Sequence, residues 1–233
     1  MKKLALTKEF YTKLANKSLE LKIEGQFGSI IPDGEICYKL DTDVRNHFLS
    51  NTYIPCYIES RSRLTEYLLE LLGKKQSKIK LSDFPHTILT YYGMYVGNIQ
   101  KYYSNYDMIG NLLSKRLITI DELKICLHSM LDSLEELGKN GIVFLDQHDG
   151  NVMFNGKESK LIDFDSPDYT IFDKHTFSIY ESFYENFLCQ YVLMIPDYVN
   201  EPLLNYNSLK NYIDNLTEDM TILSDKKTKF LVK

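Results

Sequence analysis

The sequence predicts an α+β protein in which strand signals are concentrated before residue 98 and the most strongly signalled helix follows it. Three stretches, 21–31, 35–40 and 86–97, are rich in strand-forming residues and border glycine-containing turns. Apolar residues recur at helical spacing over 59–72 and again over 119–137. The length of 233 residues suits one ordinary domain or a compact two-lobed one.

Composition restricts the classes of function. A hydrophobic fraction of 44% with 25% charged residues is typical of a folded protein with a substantial core. The net charge of −5, without a long basic run, disfavours nucleic-acid binding. No apolar run is long enough to span a membrane, and Thr7-Lys8-Glu9 interrupts the first apolar stretch too early for a signal peptide. The four cysteines are scattered, which indicates reduced thiols, so we expect a cytoplasmic protein: Cys37, Cys56, Cys126 and Cys189.

The first strand pair is predicted around two glycines. Apolar residues surround Gly25 and Gly28, and Pro32-Asp33-Gly34 is a turn signal, because proline fixes φ and glycine permits a positive φ. The second strand, 35–40, carries Lys39 near its end. Glycines in such a hairpin let backbone amides approach a phosphate, which is what a nucleotide-covering loop requires.

The elements between Lys39 and residue 139 are predicted from apolar spacing. The helix at 59–72 should carry Leu64, Tyr67, Leu68, Leu71 and Leu72 on one face, with Glu66 and Glu70 beside that apolar stripe and a stop at Gly73. Residues 86–97 should form two short strands near a hinge at Val96-Gly97. The next helix starts at a Thr119–Glu122 capping box and ends at Gly138, with a buried stripe of Leu123, Leu127, Met130, Leu134 and Leu137.

Residues 141–168 carry the chemistry. A short apolar run at 142–145 leads into a polar loop that holds Asp146 and, five residues later, Asn151. The turn Asn155-Gly156 separates two apolar runs, which is a strong hairpin signal, and the return strand ends at Asp163. The hairpin should bring Asp146, Asn151 and Asp163 together. Two carboxylates and an amide oxygen suit Mg²⁺ with bound phosphate.

These residues resemble motifs of the protein-kinase-like superfamily, whose catalytic Asp-x-x-x-x-Asn loop is followed by a hairpin and Asp-Phe-Gly. The corresponding stretches are Asp146-Gln-His-Asp-Gly-Asn151 and Asp163-Phe164-Asp165. The residues in these two motifs resemble those of aminoglycoside-phosphotransferase-type kinases more than those of ordinary eukaryotic-type protein kinases. The family's glycine loop matches as Ile23-x-Gly25-x-Phe27-Gly28-x-Ile30, in which Ile23 replaces the first glycine. The resemblance covers roughly residues 20–170.

The resemblance implies a two-lobed protein-kinase-like fold. A small β-rich N-lobe, 1–97, would hold the glycine loop, the lysine strand and an αC-like helix, and a helical C-lobe, 98–233, would hold the catalytic loop and the Asp-Phe-Asp segment. Two further helices are expected at 176–194 and 209–216. The family's Ala-Pro-Glu, and the larger helical subdomain with which small-molecule kinases enclose their substrates, are not recognised in the sequence.

The resemblance also implies phosphoryl transfer from ATP with Mg²⁺ or Mn²⁺. Asp146 would orient the acceptor hydroxyl and accept its proton, while Asn151 and Asp163 would hold the metal. Lys39, steadied by Glu66 or by Glu70, with Glu66 preferred, would bind the α- and β-phosphates.

The remaining candidate residues surround this set. Gly25, Gln26, Phe27 and Gly28 would form the loop over the phosphates. His148 replaces a lysine of the Ser/Thr kinases and could contact the γ-phosphate, and Asp165 would be a further metal ligand or a cap.

Three classes of function remain open. Small size and the missing enclosing subdomain favour a kinase that acts on a protein hydroxyl, which is the preferred interpretation. Asp-x-His-x-Gly-Asn and Asp-Phe-Asp favour a small-molecule phosphotransferase. Ile23, and Phe144-Leu145 in place of the family's His-Arg, point to an inactive binding module. Retention of all four argues against this last class, because a module without catalysis has no chemical need for them: Lys39, Asp146, Asn151 and Asp163.

Overall fold

The computed structural model describes residues 1–23, 28–172, 177–188 and 205–223. The protein is α+β, with one five-stranded sheet, two smaller sheets and several helices among these residues. Its contacts divide it into two compact units. The sheet unit comprises Met1–Lys78, Asp83–Ser104 and Phe164–Pro167; the helical unit comprises Ile79–Ser82, Asn105–Asp163 and Asp168–Lys233.

The sheet unit is built on five strands in the order β1-β4-β5-β3-β2. Their bounds are β1 Lys2–Ala5, β2 Gly28–Asp33, β3 Ile36–Asp41, β4 Thr87–Tyr91 and β5 Met94–Lys101. β1 pairs parallel with β4, and the other neighbours are antiparallel. The two strands predicted within 86–97 are confirmed, and Tyr92 and Gly93 turn between them with positive φ values of 50° and 76°. The expected hinge and lobe boundary at Gly97 falls inside β5, and the sheet unit continues to Ser104.

Three helices belong to the sheet unit: α1 Lys8–Leu21, α2 Thr42–Leu49 and α3 Cys56–Lys75. Leu21 therefore ends a helix rather than starting the first strand. Helix α3 is longer than predicted and contains Gly73 within it. Leu64 and Tyr67 are 57% and 61% exposed, so only part of the predicted apolar face is buried. The buried face instead includes two small polar residues, which an apolar pattern cannot detect: Ile58, Ser62, Thr65, Leu68, Leu69 and Leu72.

The core of the sheet unit lies between the sheet and these helices. Tyr11 of α1 stacks on Tyr91 of β4 with ring centroids 4.6 Å apart. Ile58 of α3 and Leu40 of β3 are almost fully buried in the same cluster. Burial of such side chains stabilises the sheet by about 1.5–3 kcal/mol each.

The helical unit has short strands and longer helices. Its elements are β6 Asp107–Met108, α4 Ile109–Ser114, α5 Ile120–Lys139, β7 Val143–Phe144, β8 Val152–Phe154, β9 Ser159–Leu161, β10 Thr170–Ile171, α6 Phe177–Phe183 and α7 Tyr206–Asp214. A π-helical turn, Tyr184–Leu188, follows α6. One small sheet has the order β6-β8-β9, and β7 pairs antiparallel with β10.

Helix α5 forms as predicted. The Thr119 side chain accepts from the Glu122 backbone N–H, and the Glu122 carboxylate accepts from the Thr119 backbone N–H. All five residues of its predicted stripe are buried. The predicted hairpin is also confirmed, but Phe154 pairs with Ser159, so four residues connect its strands. The Asn155 side chain closes this loop by accepting from the backbone N–H groups of Lys157 and Glu158.

The C-terminal helices match their predictions in part. Within 176–194 the described residues form α6 and the π-helical turn, and 189–194 lie outside the described residues. Helix α7 begins earlier than the expected 209–216, because Asn205 and Ser208 form a capping box. No helix within the described ranges has the length and apolar character needed to cross a membrane.

Candidate functional site

The start of the Asp146 loop is fixed by backbone contacts. Strand β7 is buried, and the Leu145 N–H donates to the Tyr169 carbonyl at 2.7 Å. Gln147 is completely buried, and its Nε2 donates to the carbonyls of Phe144, at 2.5 Å, and Ile179, at 3.2 Å. Gln147 therefore fastens the loop to α6. The sequence analysis missed this residue, because a glutamine in a polar loop carries no signal of burial.

Asn151 orients Asp146 directly. Its Nδ2 donates both to the Asp146 carbonyl, at 3.0 Å, and to Asp146 Oδ2, at 2.9 Å. Asn151 is only 4% exposed, whereas the Asp146 side chain is 24% exposed. Because both partners of this atom are acceptor oxygens, the atom is assigned as the amide nitrogen of Asn151. The amide oxygen of Asn151, Oδ1, has no hydrogen bond among the described residues. The structure thus brings together two of the three residues predicted to converge.

His148 has a structural role beside Asp146. Its Nδ1 accepts from the Gly150 N–H at 3.0 Å and caps the 3₁₀ turn Asp149–Asn151. The ring proton is therefore assigned to Nε2, which lies 3.7 Å from Asp146 Oδ1. A Cβ at Gly150 would lie 2.8 Å from His148 Cε1. The position of the His148 ring therefore requires a glycine at 150, and the Gly150 N–H in turn holds the ring.

Asp163 has a special backbone conformation. Its φ is +72°, in the left-handed region that residues other than glycine rarely adopt. The other non-glycine residues with positive φ that the structure describes follow helices or lie in the β4–β5 turn. Ile162, directly before Asp163, donates its N–H to the Asn151 carbonyl at 3.0 Å. Outliers of this kind concentrate at functional sites, which makes Asp163 a candidate.

The residues of this loop suit a hard cation together with phosphate. Among the described residues, no group of three or more His, Cys, Asp or Glu side chains is arranged to hold a metal ion. Mg²⁺ at nucleotide sites takes only one or two protein carboxylates, and phosphates and water complete its coordination. The unbonded Asn151 Oδ1 and the Asp163 carboxylate have this chemistry.

Lys39 of β3 forms a buried ion pair within the sheet unit. It is 8% exposed, and its Nζ lies 2.7 Å from Asp165 Oδ1. Asp165 Oδ2 accepts from Asn98 Nδ2 at 2.8 Å and from the Tyr95 hydroxyl at 3.2 Å. Asp165, expected to be a metal ligand or a cap, is thus a partner of Lys39.

Two glycines make room for Lys39. A Cβ at Gly28 would lie 2.5 Å from Lys39 Cε, and a Cβ at Gly97 would overlap the Lys39 carbonyl oxygen. Gly25, Gln26 and Phe27, the other residues of the predicted phosphate loop, lie outside the described residues. The residues that flank this segment are joined, since the Ile30 N–H donates to the Ile23 carbonyl at 2.9 Å.

The predicted pairing of Lys39 with Glu66 is wrong. Glu66 Oε1 lies 2.7 Å from Lys3 Nζ, and the alternative, Glu70, lies 2.5 Å from the same nitrogen. Lys3 is on β1, and the parallel pairing of β1 with β4 places it against α3. The hydrogen bonds to the two glutamates raise the pKa of Lys3, and Lys3 in turn lowers the pKa of Glu70. The sequence alone marks the first six residues only as an incomplete signal peptide, so it does not identify Lys3 as a cation that could pair with Glu66 and Glu70 in place of Lys39.

Comparison of the chain with models of protein families found no match, and comparison with curated proteins also found none.

Proposed function

We propose that the protein is an ATP- and Mg²⁺-dependent phosphotransferase with a protein-kinase-like fold, acting on a hydroxyl group. The observation that carries this proposal is the double donation from Asn151 Nδ2 to the Asp146 carbonyl and carboxylate. It holds one carboxylate oxygen, Oδ2, in a defined direction. A carboxylate held in this way is preorganised for catalysis by positioning.

Asp146 is the residue that aims the acceptor. Asn151 engages Oδ2, and Oδ1 faces His148 at 3.7 Å. Its partial exposure leaves the carboxylate accessible to a hydroxyl, and a carboxylate within hydrogen-bond reach orients that hydroxyl and accepts its proton.

Asn151 and Asp163 supply the oxygen ligands for Mg²⁺, and Lys39 supplies a cation for nucleotide phosphates. When bound, MgATP provides the phosphoryl group that is transferred. A buried ammonium is well suited to a phosphate, because a low local dielectric strengthens the attraction between charges.

The acceptor remains a choice between two classes. A protein hydroxyl is the first candidate, on the sequence arguments given above. A small-molecule hydroxyl is the second, on the Asp-x-His-x-Gly-Asn and Asp-Phe-Asp motifs. The contact between His148 and Gly150 gives a physical reason for the histidine and the glycine of the first motif, and it does not bear on the acceptor.

The proposal is tested by nucleotide binding and by transfer. Saturating MgATP should raise the melting temperature, since a ligand at a hundredfold excess over Kd adds about 2.7 kcal/mol to the free energy of unfolding. ATP with a chelator should have a smaller effect. Labelled ATP should then transfer its phosphate to an acceptor in a cell lysate or in a panel of hydroxyl metabolites.

Three outcomes separate the alternatives. Labelling of a protein band supports the first acceptor class, and labelling of a metabolite supports the second. MgATP binding without transfer to either set supports a nucleotide-binding module. A melting temperature unchanged by saturating MgATP would contradict the kinase proposal.

A further inference from the structure

We infer that Asp165, rather than a glutamate of α3, positions the Lys39 ammonium for nucleotide phosphates. The inference rests on the proposed function and assigns to Asp165 the role that the sequence analysis gave to Glu66. Asp165 acts through Lys39 and is therefore a positioning residue.

Both carboxylate oxygens of Asp165 are already engaged. Oδ1 is paired with Lys39 Nζ, while Oδ2 accepts from Asn98 and from Tyr95. The side chain of Asp165 is only 11% exposed, and Asn98 and Tyr95 are 0% and 3% exposed. A carboxylate with this set of donors is organised to hold a cationic side chain, which leaves little capacity for a metal ion.

The neighbours of Asp165 keep its negative charge directed at Lys39. Burial, together with the charge of Asp165, raises the pKa of Tyr95 well above its ordinary value, so its hydroxyl stays protonated and donates. Asn98 Nδ2 is a neutral donor that also contacts the Tyr95 hydroxyl at 3.1 Å. Lys39 is the cation bound to Asp165, and a buried charge is tolerated when it is paired and hydrogen-bonded in this way.

Three of the four residues in this assembly lie on strands, and Asp165 lies in a turn. Lys39 on β3 pairs in register with Asn98 on the neighbouring β5, and Tyr95 lies on the same strand as Asn98. Because glycine has no Cβ, Gly97 lets the backbones of β3 and β5 approach each other at the carbonyl of Lys39. A cation held from regular strands is placed more accurately than one held from a loop.

The first test compares two buried carboxylates of the sheet unit in the full-length protein. Asp165→Asn keeps the size of the side chain but removes the charge that holds Lys39. The matched control is Asp41→Asn, because Asp41 is 10% exposed and is paired with Arg61 at 2.9 Å, at the end of the same strand β3. Asp165→Asn should weaken MgATP binding about tenfold to a hundredfold, the loss expected for one charge-assisted hydrogen bond, and Asp41→Asn should leave it unchanged.

The second test separates positioning from metal binding. In a Lys39→Met background, Asp165→Asn should cause no further loss of MgATP affinity, because the residue through which it acts is gone. A metal ligand would behave differently: its loss would weaken binding in both backgrounds and raise the Mg²⁺ concentration needed for half-saturation. Tyr95→Phe, which removes one donor to Oδ2, provides a milder variant should Asp165→Asn fail to fold. It should weaken binding a few-fold in the wild-type background and have no effect in the Lys39→Met background.

The outcomes distinguish this inference from the function on which it rests. If the wild type does not bind MgATP, both are overturned. If the wild type binds MgATP, but Asp165→Asn and Tyr95→Phe bind it equally well, only the role of Asp165 is overturned. If Asp165→Asn weakens MgATP binding further in the Lys39→Met background, the positioning role of Asp165 is also overturned, and a metal-ligand role is favoured.

Discussion

Lys39 Nζ lies 2.7 Å from Asp165 Oδ1, although 126 residues separate the two along the chain. The third position of Asp163-Phe164-Asp165 therefore has a structural reason to be acidic. Phe164, between Asp163 and Asp165 in the sequence, is 1% exposed and packs edge-to-face against Phe84, with ring centroids 5.0 Å apart. This packing anchors the segment that carries Asp165 within the sheet unit.

Asp146 and Asp163 should respond differently to substitution. Asp146→Asn keeps the shape of the side chain but loses the proton acceptor, so phosphate transfer should fall about 10²–10⁴-fold while MgATP affinity stays close to that of the wild type. Asp163→Ala removes a proposed metal ligand, so nucleotide binding and transfer should be lost together. Steady-state kinetics and calorimetric titration of MgATP measure the two effects. Equal loss of nucleotide binding in both variants would contradict this division of roles.

Gly150 and His148 should be energetically coupled. A Cβ at Gly150 would lie 2.8 Å from His148 Cε1 and 3.0 Å from its Nδ1, so Gly150→Ala should displace the ring and destabilise the protein by about 1–3 kcal/mol. In a His148→Ala background the added methyl group meets no ring, and the same change should be nearly neutral. Chemical unfolding of the four proteins in this cycle measures the coupling. Additive free energies would show that the ring and the glycine are independent.

Gly28→Ala should disturb Lys39 in the same manner. The new Cβ would lie 2.5 Å from Lys39 Cε and 3.0 Å from its Cγ, which forces the buried stem away from Asp165. We expect weaker MgATP binding together with a loss of about 1–3 kcal/mol in stability. With Lys39→Ala as the background there is no stem to displace, so Gly28→Ala should then cost little. A Gly28→Ala variant that binds MgATP as tightly as the wild type would contradict the predicted displacement.

The described cysteines should differ in reactivity. Cys37 and Cys126 are buried, and burial raises the pKa of both thiols, whereas Cys56 is exposed. Because the thiolate is the reactive form, iodoacetamide at pH 8 should modify Cys56 first and the two buried thiols only as the protein unfolds. Site-resolved mass spectrometry over time, with and without denaturant, checks this order. Labelling of Cys37 in the native protein at the rate of Cys56 would refute it.

The sequence by itself determined the features that local interactions decide. The Thr119–Glu122 capping box and a leucine stripe at helical spacing were sufficient to predict α5, because their partners lie within a few residues. The β8–β9 hairpin followed from its turn residues for the same reason. The proximity of Asp146 and Asn151 was also predictable, since only four residues of a tight loop lie between them.

Only the tertiary structure decided which charges pair and which side of α3 is buried. Glu66 was the predicted partner of Lys39, and Asp165 was expected to be a metal ligand or a cap, because local spacing cannot measure the distance from either to Lys39. The parallel pairing of β1 with β4 assigned Glu66 to Lys3, and the β3–β5 register assigned Lys39 to the face that holds Asn98 and Asp165. Such choices depend on contacts between residues far apart in the chain, and the short-range periodicities from which elements are predicted carry no information about them.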